Sequence, residues 1–249
     1  MFKCDDNSKN FTRRDFIKTT SAMAVGLAFL GKNLTGTSKA FADSPDAKVQ
    51  TVLGPISPDE LGVTFMHEHC PVIDWSEFYG QPPAPISSSL RNEIVNRAVE
   101  PIKEWKSLMK GWGTNSTIVE CTPIRCGRYP DLIAEVAKKS GINIVTVSGF
   151  FGEELAPMHP WAVEMLMQRN GIDKVAQIYI KEIKKGMEDP QGKPGADYTS
   201  IKAGVIKTAT NTYLTYLERL AAKAAAQACI ETGAPITTHT ARGGGLAVC

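Results

Sequence analysis

His67 and His69 stand two residues apart in the run Leu61 to Cys70, LGVTFMHEHC, whose β-branched and aromatic content predicts a strand. Residues i and i+2 of a strand leave the same face, so the two imidazoles converge. Neutral imidazoles suit zinc and its first-row neighbours, although the same spacing also serves a hydrogen-bonded structural pair. Their place at the C-terminal end of the first strand favours ligation, because barrels and open α/β sheets both build their sites there. Glu68, between them, points to the opposite face and takes a structural role.

Lys207 ends the apolar run Gly204-Val205-Ile206-Lys207, and an ammonium on a strand buried on both faces is costly unless paired. It can snorkel out at the strand end or pair with Glu120 on a neighbouring strand. Alternatively its depressed pKa makes it a nucleophilic amine, able to form a Schiff base or to take up carbon dioxide as a carbamate. A carbamate is an anionic oxygen ligand that can bridge two metals. His239, in Thr237-Thr238-His239-Thr240, again ends a predicted strand, ahead of the flexible run Arg242 to Gly245. Three of the four histidines thus fall at predicted strand ends, which points to a metal centre. The fourth, His159 in Pro157-Met158-His159-Pro160, is assigned to a surface loop. Phe150, Phe151 and Trp161, just after the third strand, either line an apolar pocket or pack the rim.

The elements that position these groups alternate. Strands are predicted at Leu61 to Cys70, Ser116 to Thr122, Ile142 to Ser148, Ala203 to Thr208 and Pro235 to Thr240. Helices are predicted near Ser89 to Lys110, Pro130 to Ser140, Pro160 to Met187 and Tyr213 to Thr232, with glycine stops at Gly141 and Gly233. This order implies parallel strands with helical crossovers. Thr51 to Asp59, with turn residues at its centre, reads as a small hairpin covering one end. No glycine-rich phosphate turn follows the first strand, which argues against a dinucleotide fold. A complete (β/α)8 barrel needs roughly 250 residues, so the expectation is a partial barrel of about five strands.

Residues 1 to 42 read as an export signal: Arg13-Arg14-Asp15-Phe16-Ile17-Lys18, an apolar run Ala22 to Leu30, and a small-residue site at Ala40-Phe41-Ala42. The paired arginines resemble the twin-arginine signal, whose transporter carries folded proteins. The expected organisation is therefore a signal peptide over 1–42 and a barrel over 43–249, exported to a bacterial periplasm. The segment 1 to 42 holds seven of the 28 Lys/Arg and three of the 26 Asp/Glu, which leaves the remainder with 21 basic and 23 acidic residues. So balanced a body lacks the basic face that nucleic-acid binding requires. Five cysteines follow residue 42, Cys70, Cys121, Cys126, Cys229 and Cys249; Cys70 and Cys121 fall in strand-like apolar runs, and free buried thiols are favoured over bridges.

Leu61-Gly62 through His67-Glu68-His69, Asp131 to Val145, Gly204 to Lys207 and Gly233 to Thr240 together resemble the phosphotriesterase family of the amidohydrolase superfamily, collinearly from about Thr51 to Arg242. The resemblance implies an α/β fold, a (β/α)8 barrel holding two divalent metal ions, commonly zinc, bridged by a carboxylated lysine and a hydroxide. Carried over, His67 and His69 would bind the more buried metal, Lys207 as its carbamate would bridge, and His239 would bind the more exposed metal. The implied activity is hydrolysis of an ester, lactone or organophosphate by the bridging hydroxide. The family also uses a histidine on strand six and an aspartate on strand eight, and neither has a counterpart in the sequence up to Cys249. The expectation is accordingly a C-terminally truncated product. Its unpaired edge strands would favour association with another chain, as in a homodimer, and its alternative role is a binding remnant without catalysis.

Overall fold

The computed structural model describes residues 47–70, 85–152, 158–193, 195–211 and 214–240. The expected export signal, the Arg242 to Gly245 run and Cys249 lie outside these residues.

Strands β1 (Val49–Thr51) and β2 (Gly54–Ile56) form the expected antiparallel hairpin. The Thr51 hydroxyl holds its turn, donating to the Gly54 carbonyl at 2.7 Å and accepting from the Leu53 amide at 3.2 Å. The hairpin tip caps the N-terminal ends of the strands that follow: the Val52 amide donates to the Ile144 carbonyl at 2.9 Å. Gly204 admits the hairpin as well, since a β-carbon there would come within 2.5 Å of the Gln50 carbonyl oxygen.

β3 (Val63–Glu68), β4 (Ser116–Glu120), β5 (Asn143–Gly149), β6 (Val205–Thr210) and β7 (Ile236–Thr240) form one parallel sheet in chain order. The helices between them are α1 (Ser88–Leu108), α2 (Pro130–Ser140), α3 (Pro160–Met167), α4 (Gly171–Lys184) and α5 (Tyr216–Thr232). A doubly wound fold reverses its strand order at a switch point, whereas here every strand adds on the same side, as in a barrel. β4 is buried throughout, as parallel strands covered on both faces must be. On the outer face Ile118 and Ile144 join Val95, Val99 and Ile102 of α1 and Leu132, Ile133 and Val136 of α2. Farther along, Ile206 joins Val175 and Tyr179 of α4 and Ala224, Ala225 and Ala228 of α5. A smaller inner cluster, Val119, Cys121, Val145 and Val147, fills the concave side.

Gly141 (φ 67°) and Gly233 (φ 75°) end α2 and α5 in the left-handed conformation, as expected. The single helix expected over Pro160 to Met187 is two. Asn170 adopts φ 58°, and Gly171 lies so close to the preceding turn that a β-carbon would approach the Leu166 carbonyl oxygen to 2.3 Å. The Asn-Gly pair permits a left-handed corner that apolar periodicity across the break does not register. α5 begins at Tyr216, because Thr215 and Glu218 form a reciprocal capping box.

One buried ion pair joins the loop after β4 to α4. Arg128 meets Glu182 through Nη2–Oε1 at 2.6 Å and Nη1–Oε2 at 2.9 Å, and its Nη1 also donates to the Val147 carbonyl at 2.7 Å.

Candidate metal centre

β3 pairs with β4 in plain register from Val63 to Phe65, and then Glu68 meets Glu120, so three steps on β3 match two on β4. This bulge changes which face each side chain takes. Phe65 turns outward onto Trp105 of α1, with ring centroids 4.4 Å apart, yet His67, of the same parity, turns inward. Without the extra residue the two would share a face. The His67 and His69 rings stand edge to face at 5.4 Å, so they converge as expected, and the bulge decides which face the pair takes relative to Phe65.

Lys207 lies inside β6, paired with Thr237 of β7 and beside Gly149 of β5, and not at the strand end as expected. Its side chain neither snorkels nor pairs with Glu120. It is 1% exposed, and Nζ stands 2.9 Å from His67 Nε2. β3 and β6 are separated by two strands, a span of roughly 14 Å in a flat sheet at the usual strand spacing. Contact between their side chains requires the sheet to curl, and the concave side of that curl is the site. No ion pair among the described residues involves Lys207.

Burial holds the Lys207 amine below its ordinary pKa. His67 is lowered by desolvation first and then by the charges of Lys207 and His239. His69 falls further, from 6.5 to about 4, through desolvation and the charges of Lys207, His67 and His239. His239 therefore belongs to the same electrostatic neighbourhood. It sits near the end of β7, where the Phe151 ring packs edge-on against it at 5.1 Å. The His67 and His69 rings are thereby poised to be neutral at neutral pH, the state in which imidazole offers a lone pair. Burial raises the nearby Cys121 thiol to about 11 and the Cys70 thiol to about 11 as well, so neither is a ready thiolate. Cys70, Cys121 and Cys229 form no disulfide, as expected; Cys121 is buried and Cys70 and Cys229 are half-buried.

Glu120 is committed elsewhere. Fully buried, its Oε1 accepts the Thr122 hydroxyl and, at 3.1 Å, the Thr122 amide. The Thr122 hydroxyl in turn meets His69 Nδ1 at 2.9 Å. Sequence reading passed over Thr122, although a glutamate on an otherwise apolar strand, followed two residues later by threonine, was the available signal. Desolvation lifts Glu120 from 4.5 to about 7, against the hydrogen bonds from Thr122.

Phe150 and Trp161 pack into the helix layer with Tyr179, and only Phe151 stands at the site. His159 is 5% exposed and not a surface residue: its Nδ1 accepts from the Trp161 amide at 3.1 Å and caps α3. Among the described residues, no three His, Cys, Asp or Glu side chains are grouped to hold a metal ion. The donors that do gather are imidazole and amine nitrogens, which suit a zinc-type ion but supply no anionic oxygen.

The model of the phosphotriesterase family matches residues 47–248. A phosphotriesterase homology protein of Mycobacterium tuberculosis is 33% identical over 197 residues, covering 79% of this chain and 55% of its own length. An N-acetyltaurine hydrolase of Xenopus tropicalis is 28% identical over 220 residues, covering 80% of this chain and 58% of its own. Among solved structures, the organophosphorus hydrolase from Deinococcus radiodurans superposes with TM-score 0.62 at 29% identity, covering 79% of this chain and 54% of that one. Another, described as organophosphate hydrolysis engineered from a weak promiscuous lactonase template, gives 0.61 at 28% identity, covering 78% and 55%. The chain spans little more than half the length of these relatives.

Proposed function

The chain belongs to the phosphotriesterase family, and from that premise we propose that it acts as a metal-dependent hydrolase of a small ester, lactone or organophosphate. The observation that carries this reading is the meeting of His67 and Lys207 at 2.9 Å on the concave side of the sheet, beside His69. His67 and His69 would hold the more buried of two divalent cations, commonly zinc, and His239 would hold the more exposed one. A pair of cations in such a site supplies Lewis acidity and a water acidified toward neutral pH.

The remaining chemistry belongs to the chain's own groups. The lowered pKa of Lys207 makes more of the neutral amine available. That amine attacks carbon dioxide, forming an N–C bond and releasing one proton, and the resulting carbamate is the anionic oxygen donor that the nitrogen ligands lack. His67 and His69 stay unprotonated and keep their lone pairs at neutral pH. Phe151, against His239, presents an apolar edge to an incoming substrate. Attack by water needs no nucleophilic side chain, consistent with the lack of a Gly-x-Ser-x-Gly elbow. Residues 1–42 direct twin-arginine export to the periplasm, a route that lets the centre load before translocation.

Elemental analysis of the purified chain tests this reading. About two equivalents of divalent metal per chain, with hydrolysis of a lactone, carboxylic ester or phosphotriester lost on chelation and restored by zinc, is the expected result. No stoichiometric metal, or hydrolysis indifferent to chelation, overturns it.

A further inference from the structure

We propose that Thr122 is a positioning residue for the metal centre: its hydroxyl, oriented by Glu120, keeps the ring proton of His69 on Nδ1 and presents Nε2 to the cavity. The inference deepens the metal reading above and rests on it.

A hydroxyl has one proton to give and two lone pairs to offer. Glu120 Oε1 already accepts the Thr122 amide at 3.1 Å, and it takes the hydroxyl proton as well. The Thr122 oxygen therefore faces His69 Nδ1, 2.9 Å away, with a lone pair only. Nδ1 must donate. A neutral imidazole carries a single ring proton, so Nε2 is left as the lone-pair nitrogen. Glu120 is 0% exposed, so solvent does not compete for the hydroxyl and its rotor is set by the protein.

The chain from carboxylate to hydroxyl to imidazole has a consequence for ligation. With Thr122 turned the other way, the hydroxyl would donate to Nδ1, the ring proton would move to Nε2, and the nitrogen aimed at the cavity could not bind a cation. Hydrogen-bond partners behind metal-ligating histidines are commonly worth 10- to 100-fold in metal affinity. A threonine is an economical device here because its second lone pair makes the polarity of the whole chain depend on the carboxylate behind it.

The test is 15N NMR of the metal-free chain, labelled in its four histidines, at a pH on the alkaline side of 7, where Glu120 is the carboxylate. The His69 resonances are assigned by their loss in His69→Asn, and zinc affinity is measured in parallel by competition with a chelator. Wild type is expected to show the Nδ1–H tautomer at His69. Thr122→Val should lose it and bind zinc about 10- to 100-fold more weakly. Thr122→Ser, which keeps the hydroxyl, should restore both. Thr122→Ala removes the hydroxyl without a replacement methyl and reads in the same way if the valine variant does not fold. An unchanged tautomer in the hydroxyl-less variants overturns the proposal, and so does a changed tautomer with undiminished zinc affinity. If wild type binds no stoichiometric zinc while the tautomer still responds to Thr122, the metal reading falls and the proton assignment stands.

Discussion

Lys207 Nζ approaches His67 Nε2 to 2.9 Å although two whole strands, β4 and β5, lie between their own. The contact places a buried amine, its proton affinity lowered by desolvation, where its charge lowers the proton affinity of the imidazole. A buried amine with no ion pair among the described residues is costly to stability, which marks the contact as a candidate site.

Replacing Lys207 by Met should separate function from stability. Methionine has similar length, fills the space and needs no hydrogen bond, so unfolding free energy should stay within about 1.5 kcal/mol of wild type or rise. Metal binding and hydrolysis should be lost. Because the Lys207 charge helps hold His69 at about 4, proton NMR titration of the variant should find that ring shifted up toward its ordinary 6.5. A depressed folded-state value costs stability as pH falls from 6.5 toward 4, so this acid-side loss should be smaller in the variant.

Glu120→Gln should show the opposite pH dependence. The wild-type carboxyl titrates near 7 in the folded chain and near 4.5 unfolded. Between those values the folded state binds more protons, and its stability falls as pH rises. Glutamine keeps an accepting oxygen for Thr122 and does not ionise. Its stability relative to wild type should climb from pH 4.5 to 7 and then level, by an amount on the order of 3 kcal/mol. Urea unfolding of both proteins below, within and above that window measures it.

Arg128 and Glu182 should be strongly coupled. Both are buried, and two hydrogen bonds at 2.6 and 2.9 Å join them. Glu182→Ala removes the carboxylate that is hydrogen-bonded to the buried guanidinium and should cost about 3–5 kcal/mol. The double variant Arg128→Met with Glu182→Leu should recover most of that loss. A double-mutant cycle by denaturant unfolding gives the coupling directly.

Gly149→Ala should disturb the site through the backbone. Gly149 has φ 133°, and a β-carbon there would lie 2.0 Å from the Lys207 carbonyl oxygen. Nothing flexible is available to yield, so β5 and β6 must move apart. The variant should lose at least about 1–3 kcal/mol of stability, and metal occupancy should fall with it, read by thermal melting and elemental analysis.

The parallel order of strands and helices was legible because each strand is a short β-branched run and each helix end carries a local stop, as at Gly141 and Gly233. The histidines and Lys207 were legible as candidates because polar groups are conspicuous in apolar strands. Less legible were features with no local period. The corner at Asn170 divides a helix that apolar spacing joins, and His159 looks like a loop residue until the fold buries it as a cap.

By itself, then, the amino-acid order determined which segments are strands, that they run parallel, and which side chains are candidates for a site, since propensity and periodicity act over a few neighbouring residues. Only the tertiary structure decided that His67 turns inward at a bulge, that Lys207 reaches across two strands to meet it, and that Glu120 serves Thr122 and His69 instead of Lys207. Those choices depend on how far the sheet curls and on which polar groups find partners in the space left by packing, quantities to which no single segment has access.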